Sequence, residues 1–164
     1  MIVLKNVLVP TDFSEPSAAA LAYGRDLARA YDARLHVLFV EDDVNTRYAM
    51  DSAPVFIPGL QDEIEKAAQT RIADLLTDED RIQLHARAEV RTSMSPASAI
   101  VNYARDLAID LIVMGTQGRG GMSHVLMGSV AERVVRTAPC PVLTLRHPER
   151  EFIAPDALVT TARA

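Results

Sequence analysis

Tryptophan is absent from this 164-residue chain, cysteine occurs once and lysine only twice. The single cysteine, Cys140, cannot form an internal disulfide. Between Pro139 and Pro141, with no activating base beside it, it reads as a small buried packing residue rather than a reactive thiol. The lysines, Lys5 and Lys66, both lie outside the glycine-rich segment, so the Gly-Lys-Ser/Thr ending of a Walker A loop is missing. No run of about 18 apolar residues occurs, so no membrane insertion is expected. Met1 to Lys5 has no basic stretch before its apolar residues, so a signal peptide is not expected and a cytoplasmic location is. Basic residues are too few to balance the acids: the net charge is −5, with arginines scattered among carboxylates. Generic attraction to nucleic acid or an anionic membrane is therefore not expected, and a phosphate-bearing ligand must be held locally.

With 49% hydrophobic residues the chain has enough apolar surface for one globular domain with a sizeable core. Its patterning alternates between two periods. Ile2 to Val9 is nearly continuously apolar after Lys5-Asn6, as expected for a parallel strand covered on both faces. Ser14 is a predicted N-cap, with Glu15 and Pro16 in the first turn of a helix to about Tyr31 that packs through Ala18, Leu21, Ala22, Leu27 and Ala28. Arg34 to Val40 predicts a second strand, Glu41 to Gly59 a loop, and Leu60 to about Leu76 a helix. Ile82 to Arg91 alternates apolar and polar residues, which predicts a half-buried strand near a sheet edge with His85 on its polar side. A helix from Ser95-Pro96, a strand Leu111 to Met114, a helix Ser129 to Thr137 and a strand Val142 to Arg146 follow. This β-α alternation implies right-handed crossovers and an α/β fold, a parallel sheet with helices on both faces. Residues 148–164 show little periodicity and read as a C-terminal tail.

Five of the seven glycines fall within fourteen residues, at 115, 118, 120, 121 and 128, between the fourth strand and the last helix. Glycine lets main-chain amides approach an anion closely, and a following helix N-terminus adds orphan N–H groups and partial positive charge. The pattern reads Gly-x2-Gly-x9-Gly-Ser, with Ser129 in the first helical turn offering both an amide and a hydroxyl. A dinucleotide fingerprint is excluded, because the first strand ends in Pro10-Thr11-Asp12 and not in a glycine run.

The segment Gly115 to Ser129, the opening Asn6-Val-Leu-Val-Pro-Thr-Asp12 and the ending Cys140-Pro-Val-Leu-Thr-Leu145 together resemble the universal stress protein family, in its ATP-binding branch. The resemblance covers residues 1–147 and implies a single-domain, open, five-stranded parallel sheet of order 3-2-1-4-5. Such a fold is Rossmann-like and similar to the adenine nucleotide alpha hydrolases. In such sheets ligands bind where strand order reverses, which here is beyond the first and fourth strands. The nucleotide-binding residues it implies are Pro10, Thr11, Asp12, Val40, Met114, Gly115, Thr116, Gly118, Arg119, Gly120, Gly121, Gly128, Ser129 and Val130. Asp12 can accept from ribose hydroxyls or lie beside a phosphate-bound Mg2+, although its residue type also suits a turn or a cap. Val40 is expected to meet adenine through its backbone; Met114 and Val130 are apolar neighbours that ordinary core packing would equally explain. The ligand is ATP, or alternatively ADP or AMP. Arg119 and His124 are the basic side chains of the loop, with no pairing that establishes hydrolysis. The expected activity is thus nucleotide binding in stress response or signalling, with no catalytic residue assigned. The alternatives are a weak ATPase or a phosphotransferase autophosphorylated at Ser123 or Ser129, and an interaction module with a structural nucleotide. The family implies a homodimer through the last strand, Val142, Leu143, Thr144 and Leu145, an edge whose unpaired backbone invites another chain.

Overall fold

A computed structural model describes residues 1–43, 59–117 and 127–146. Its elements are β1 (Asn6–Thr11), α1 (Glu15–Tyr31), β2 (Arg34–Glu41), α2 (Leu60–Ala73), α3 (Asp78–Gln83), β3 (Arg87–Thr92), α4 (Pro96–Asp106), β4 (Leu111–Gly115), α5 (Ser129–Thr137) and β5 (Val142–Leu145). The strands form one all-parallel sheet of order β3-β2-β1-β4-β5. The fold class and strand order are those the sequence and the resemblance imply.

Alternation along the strands divides the core into two layers. Val7 and Val9 of β1, Leu35, Val37 and Phe39 of β2 and Val113 of β4 pack under α1 and α2. Leu8, Leu38, Ile112 and Met114 point the other way and pack under α4 and α5. Val7, Leu8, Val9, Leu35, Val37, Leu38, Ile112 and Val113 are all 0% exposed, which is why these strands read as continuous apolar runs.

Four expectations are corrected. The first strand begins at Asn6, and Ile2 and Val3 are 67% and 60% exposed; the β1–β2 pairing starts only at Asn6↔Arg34. Helix α1 buries Ser17, Ala20, Leu21, Tyr23, Gly24 and Ala28 and leaves Ala18 and Ala22 exposed. Gly24 lies so close to Val9 that a Cβ would overlap Val9 Cγ2, so its backbone seats the helix on β1. The third strand begins at Arg87; Ile82 belongs to α3 and is 73% exposed. A capping box starts α3: the Asp80 amide donates to Thr77 Oγ1 at 3.1 Å and the Thr77 amide to Asp80 Oδ2 at 3.0 Å. This local pairing overrides the period-2 pattern, and His85 lies in the exposed turn after α3 at φ 45°. Finally, Cys140 is half-buried, with its thiol pKa raised by burial and by Asp110.

Candidate functional site

The sheet opens between β1 and β4. The Asp110 amide donates to the Asn6 carbonyl at 2.9 Å, while the Lys5 carbonyl accepts from Arg34 on the β2 side, so even-numbered residues of β1 turn their backbone toward β4. Leu8 continues that side and Pro10 comes next, with no N–H to donate. Pairing between β1 and β4 is accordingly confined to Val7↔Leu111 and Leu8↔Ile112, whereas β1 pairs with β2 through Thr11. Beyond Ile112 the two strands run on without a ladder to a shared C-terminal end, where strand order reverses. Proline in a central strand thus serves to part it from one neighbour.

On the β1 side, buried Thr11 accepts from the Phe13 amide at 3.0 Å and shares a hydrogen bond with Ser17 Oγ at 3.1 Å. Asp12, half-buried, accepts at Oδ1 from both the amide (3.1 Å) and the hydroxyl of Ser14, and Ser14 caps α1. Asp12 therefore makes the Asx turn that leads into α1, directly after the C-terminal end of β1.

On the β4 side, Gly115 ends the strand in register with Leu145 of β5. A Cβ at Gly115 would lie 3.0 Å from Pro16 Cβ and 3.1 Å from the Pro16 carbonyl carbon and oxygen. The first turn of α1 thus rests on the end of β4, a packing reason for this glycine. Thr116 is 7% exposed, and its Oγ1 is buried with no hydrogen-bond partner among the described residues. Its backbone is fully used: the amide donates to the Leu145 carbonyl at 2.8 Å and the carbonyl accepts from the Gly128 amide at 2.6 Å. That last bond ties together the two ends of the glycine loop. Gly128 is the N-cap of α5 and supplies no side-chain cap, so the amides of Ser129, Val130 and Ala131 have no acceptor within the helix. Ser129 itself is exposed.

Val40, Met127 and Val130 pack as partly buried residues against the α4–α5 core layer, and Met114 lies within it at 6% exposure. They flank the crevice with apolar surface on one side. Met127 escaped the sequence reading; its position beside Gly128 was the available signal. Gly118, Arg119, Gly120, Gly121, Ser123 and His124 lie outside the described residues, as do residues 148–164. Among the described residues no group of three or more His, Cys, Asp or Glu could hold a metal, and no helix is long and apolar enough to cross a membrane.

Comparison with known proteins agrees with this architecture. The chain is 35% identical to a universal stress protein of Thermus aquaticus over 146 residues, covering 87% of this chain and 98% of that protein. It is 32% identical to universal stress protein MJ0531 of Methanocaldococcus jannaschii over 148 residues, covering 90% and 85%. Among solved structures, universal stress protein UspA from Lactobacillus plantarum superposes with a TM-score of 0.67 at 28% identity, covering 89% of this chain and all of that one (100%). A universal stress protein crystallised in complex with cAMP shares the fold, with a TM-score of 0.57 at 24% identity and coverage of 88% and 98%. The sequence model of the universal stress protein family matches residues 4–146, and the chain belongs to that family.

Proposed function

We propose that this protein is a cytoplasmic adenine-nucleotide-binding regulator of a stress response, taking ATP with Mg2+ in the crevice between β1 and β4. The observation that carries the reading is the buried hydroxyl of Thr116, which has no hydrogen-bond partner among the described residues and whose backbone carbonyl is bonded to Gly128 at the start of α5, a helix that Gly128 gives no side-chain cap. An orphaned buried hydroxyl costs stability unless something satisfies it, and an uncapped helix start favours an anion. In this reading the amides at Ser129 and Val130 and the loop backbone at Gly118, Gly120 and Gly121, with Arg119, hold the phosphates. Asp12 takes the ribose or the hydrated metal ion, and Val40, Met114 and Val130 flank the base. Mg2+ fits a single carboxylate, because it keeps several waters and shares phosphate oxygens. It would supply charge neutralisation of the phosphates.

The test is a thermal-shift and titration experiment with Mg-ATP, alongside mass spectrometry of the denatured, as-purified protein. Nucleotide at 100 times its dissociation constant adds about 2.7 kcal/mol of stability. No bound adenine nucleotide together with no shift would refute the proposal. Asp12→Ala and Gly118→Val are expected to abolish or weaken the shift.

Ser129, exposed in the first turn of α5, supports a second reading as an autophosphorylation site. Radiolabel from γ-labelled ATP retained by the protein and lost in Ser129→Ala would establish it. The proposed assembly is a homodimer through β5, an edge strand in which Val142, Leu143, Thr144 and Leu145 are all half-buried.

A further inference from the structure

The turn between β1 and α1 holds an aromatic residue in a conformation that favours glycine. Phe13 has φ 63°, a genuine outlier for a bulky side chain. Strain of this kind persists only where the surroundings over-determine it. Here three contacts do so. The Phe13 amide donates to Thr11 Oγ1 at 3.0 Å. The ring lies 4.7 Å from the Phe39 ring, tilted by 52°, and Phe39 is 7% exposed in the core. The Arg71 guanidinium, from the last turn of α2, sits 3.9 Å from the Phe13 ring centroid.

The strained residue stands between Asp12 and Ser14, whose amide and hydroxyl both donate to Asp12 Oδ1. A change of φ at residue 13 reorients the peptide planes on either side and so breaks that turn. We propose that Phe13 is a positioning residue: its ring, held by Phe39 and Arg71, locks the left-handed turn that presents Asp12 to the ligand. The proposal rests on the nucleotide-binding reading, in which Asp12 meets the ribose or the metal. It extends that site to α2, because Arg71 is remote in sequence and exposed, yet holds the ring that fixes the turn.

Backbone conformation and ring packing are separable by substitution. Phe13→Ala removes the ring and keeps the steric cost of positive φ, whereas Phe13→Gly removes both ring and cost. Two readouts follow from this. The first is amide exchange at Ser14, read by NMR without nucleotide: Phe13→Ala should speed it about tenfold and Phe13→Gly by less than about threefold. The second is the dissociation constant for Mg-ATP, raised about tenfold by Phe13→Ala, largely restored by Phe13→Gly, and insensitive to Phe13→Ala once Asp12 is alanine. A purely packing role predicts equal losses for the two substitutions, since both delete the same ring.

Should Phe13→Ala fail to fold, Arg71→Ala carries the same test at the protein surface, with an expected effect of about threefold. Equal Ser14 exchange in wild type, Phe13→Ala and Arg71→Ala overturns the proposal, whatever the nucleotide result. An effect of Phe13→Ala on affinity that persists undiminished in Asp12→Ala also overturns it. Wild-type protein that binds no Mg-ATP while Ser14 exchange still responds removes the nucleotide reading alone and leaves Phe13 as the residue that sets Asp12.

Discussion

Pro16 fills the space that a side chain on Gly115 would need, its Cβ 3.0 Å and its carbonyl group 3.1 Å from where a Cβ would stand. The glycine that ends β4 is therefore fixed by the first turn of α1 as well as by any ligand. Gly115→Ala must displace backbone and not a flexible side-chain end, and is expected to cost about 1–3 kcal/mol in urea unfolding without ligand. At Gly128 the nearest atom is the Thr116 carbonyl oxygen at 3.3 Å, so Gly128→Ala should cost less and act mainly on nucleotide affinity. Equal destabilisation by the two would contradict this ordering.

Thr116→Val separates ligand binding from folding. Valine keeps the shape and removes the buried Oγ1 that has no partner among the described residues. The ligand-free variant is expected to be more stable by roughly 1 kcal/mol, because an unsatisfied hydroxyl is removed, while its affinity for Mg-ATP falls. Denaturation in the absence of nucleotide and calorimetric titration in its presence measure the two effects. A stabilised variant with undiminished affinity would show that the hydroxyl does not meet the ligand.

Arg25 and Asp80 pin α3 to α1. Asp80 is 0% exposed and accepts from Arg25 Nε at 2.9 and 3.1 Å, while the Arg25 side chain is 22% exposed. Removing one member strands the other, so Asp80→Ala is expected to cost about 3–5 kcal/mol. It also removes the acid of the Thr77 capping box. Arg25→Met, which keeps the volume, measures the opposite half of the pair by the same denaturation experiment.

His36 makes stability pH-dependent. It is 2% exposed, its Nδ1 lies 3.0 Å from Tyr103 Oη and its Nε2 3.4 Å from Asn6 Oδ1. The amide nitrogen of Asn6 donates to the Ala108 carbonyl, so Oδ1 accepts and the histidine proton sits on Nε2. Tyr103, whose pKa burial raises to about 12, stays protonated, with its hydroxyl against Nδ1. Burial, with the positive charges of Arg34 and Arg87, lowers the His36 pKa from 6.5 to about 4. Between those values the unfolded chain binds a proton that the folded chain refuses. Stability is therefore fully present above pH 6.5 and is lost as pH falls to about 4, by roughly 3 kcal/mol in all. His36→Gln keeps polar contacts without titrating, and should flatten that part of the urea-stability profile relative to wild type.

Strand parity sets which backbone groups of β5 face outward. The Pro141 and Leu145 carbonyls accept from Ile112 of β4 and from Thr116 just after it, so Val142 and Thr144 turn their backbone groups away from the sheet. Thr144→Pro removes an outward donor and leaves those bonds to β4 in place. Sedimentation should show the proposed homodimer reduced to monomer, and an unchanged dimer would place the interface elsewhere.

Some of the fold and some of the candidate site could be read from the sequence because the signals are local. Ser14 as a cap, the Gly115 to Ser129 spacing and the apolar runs of β1, β2 and β4 each depend on residues near in sequence. The capping box Thr77-x-x-Asp80 was equally local, but the alternation from Ile82 to Arg91 concealed it. The inward face of α1 was misplaced by about one position, because Gly24 buries its backbone against Val9 and contributes no hydrophobic side chain to the period.

The amino-acid sequence by itself determined the α/β class and the parallel sheet, which follow from apolar periodicity, and the family, through its resemblance in the segments Asn6 to Asp12, Gly115 to Ser129 and Cys140 to Leu145. Tertiary structure alone decided that Pro10 parts β1 from β4, that Pro16 occupies the space at Gly115, and that Arg71 reaches Phe13. Each of these joins residues far apart along the chain, or depends on which neighbour a strand's backbone faces. Periodicity gives the face of an element that is buried; only the assembled sheet sets what that face meets.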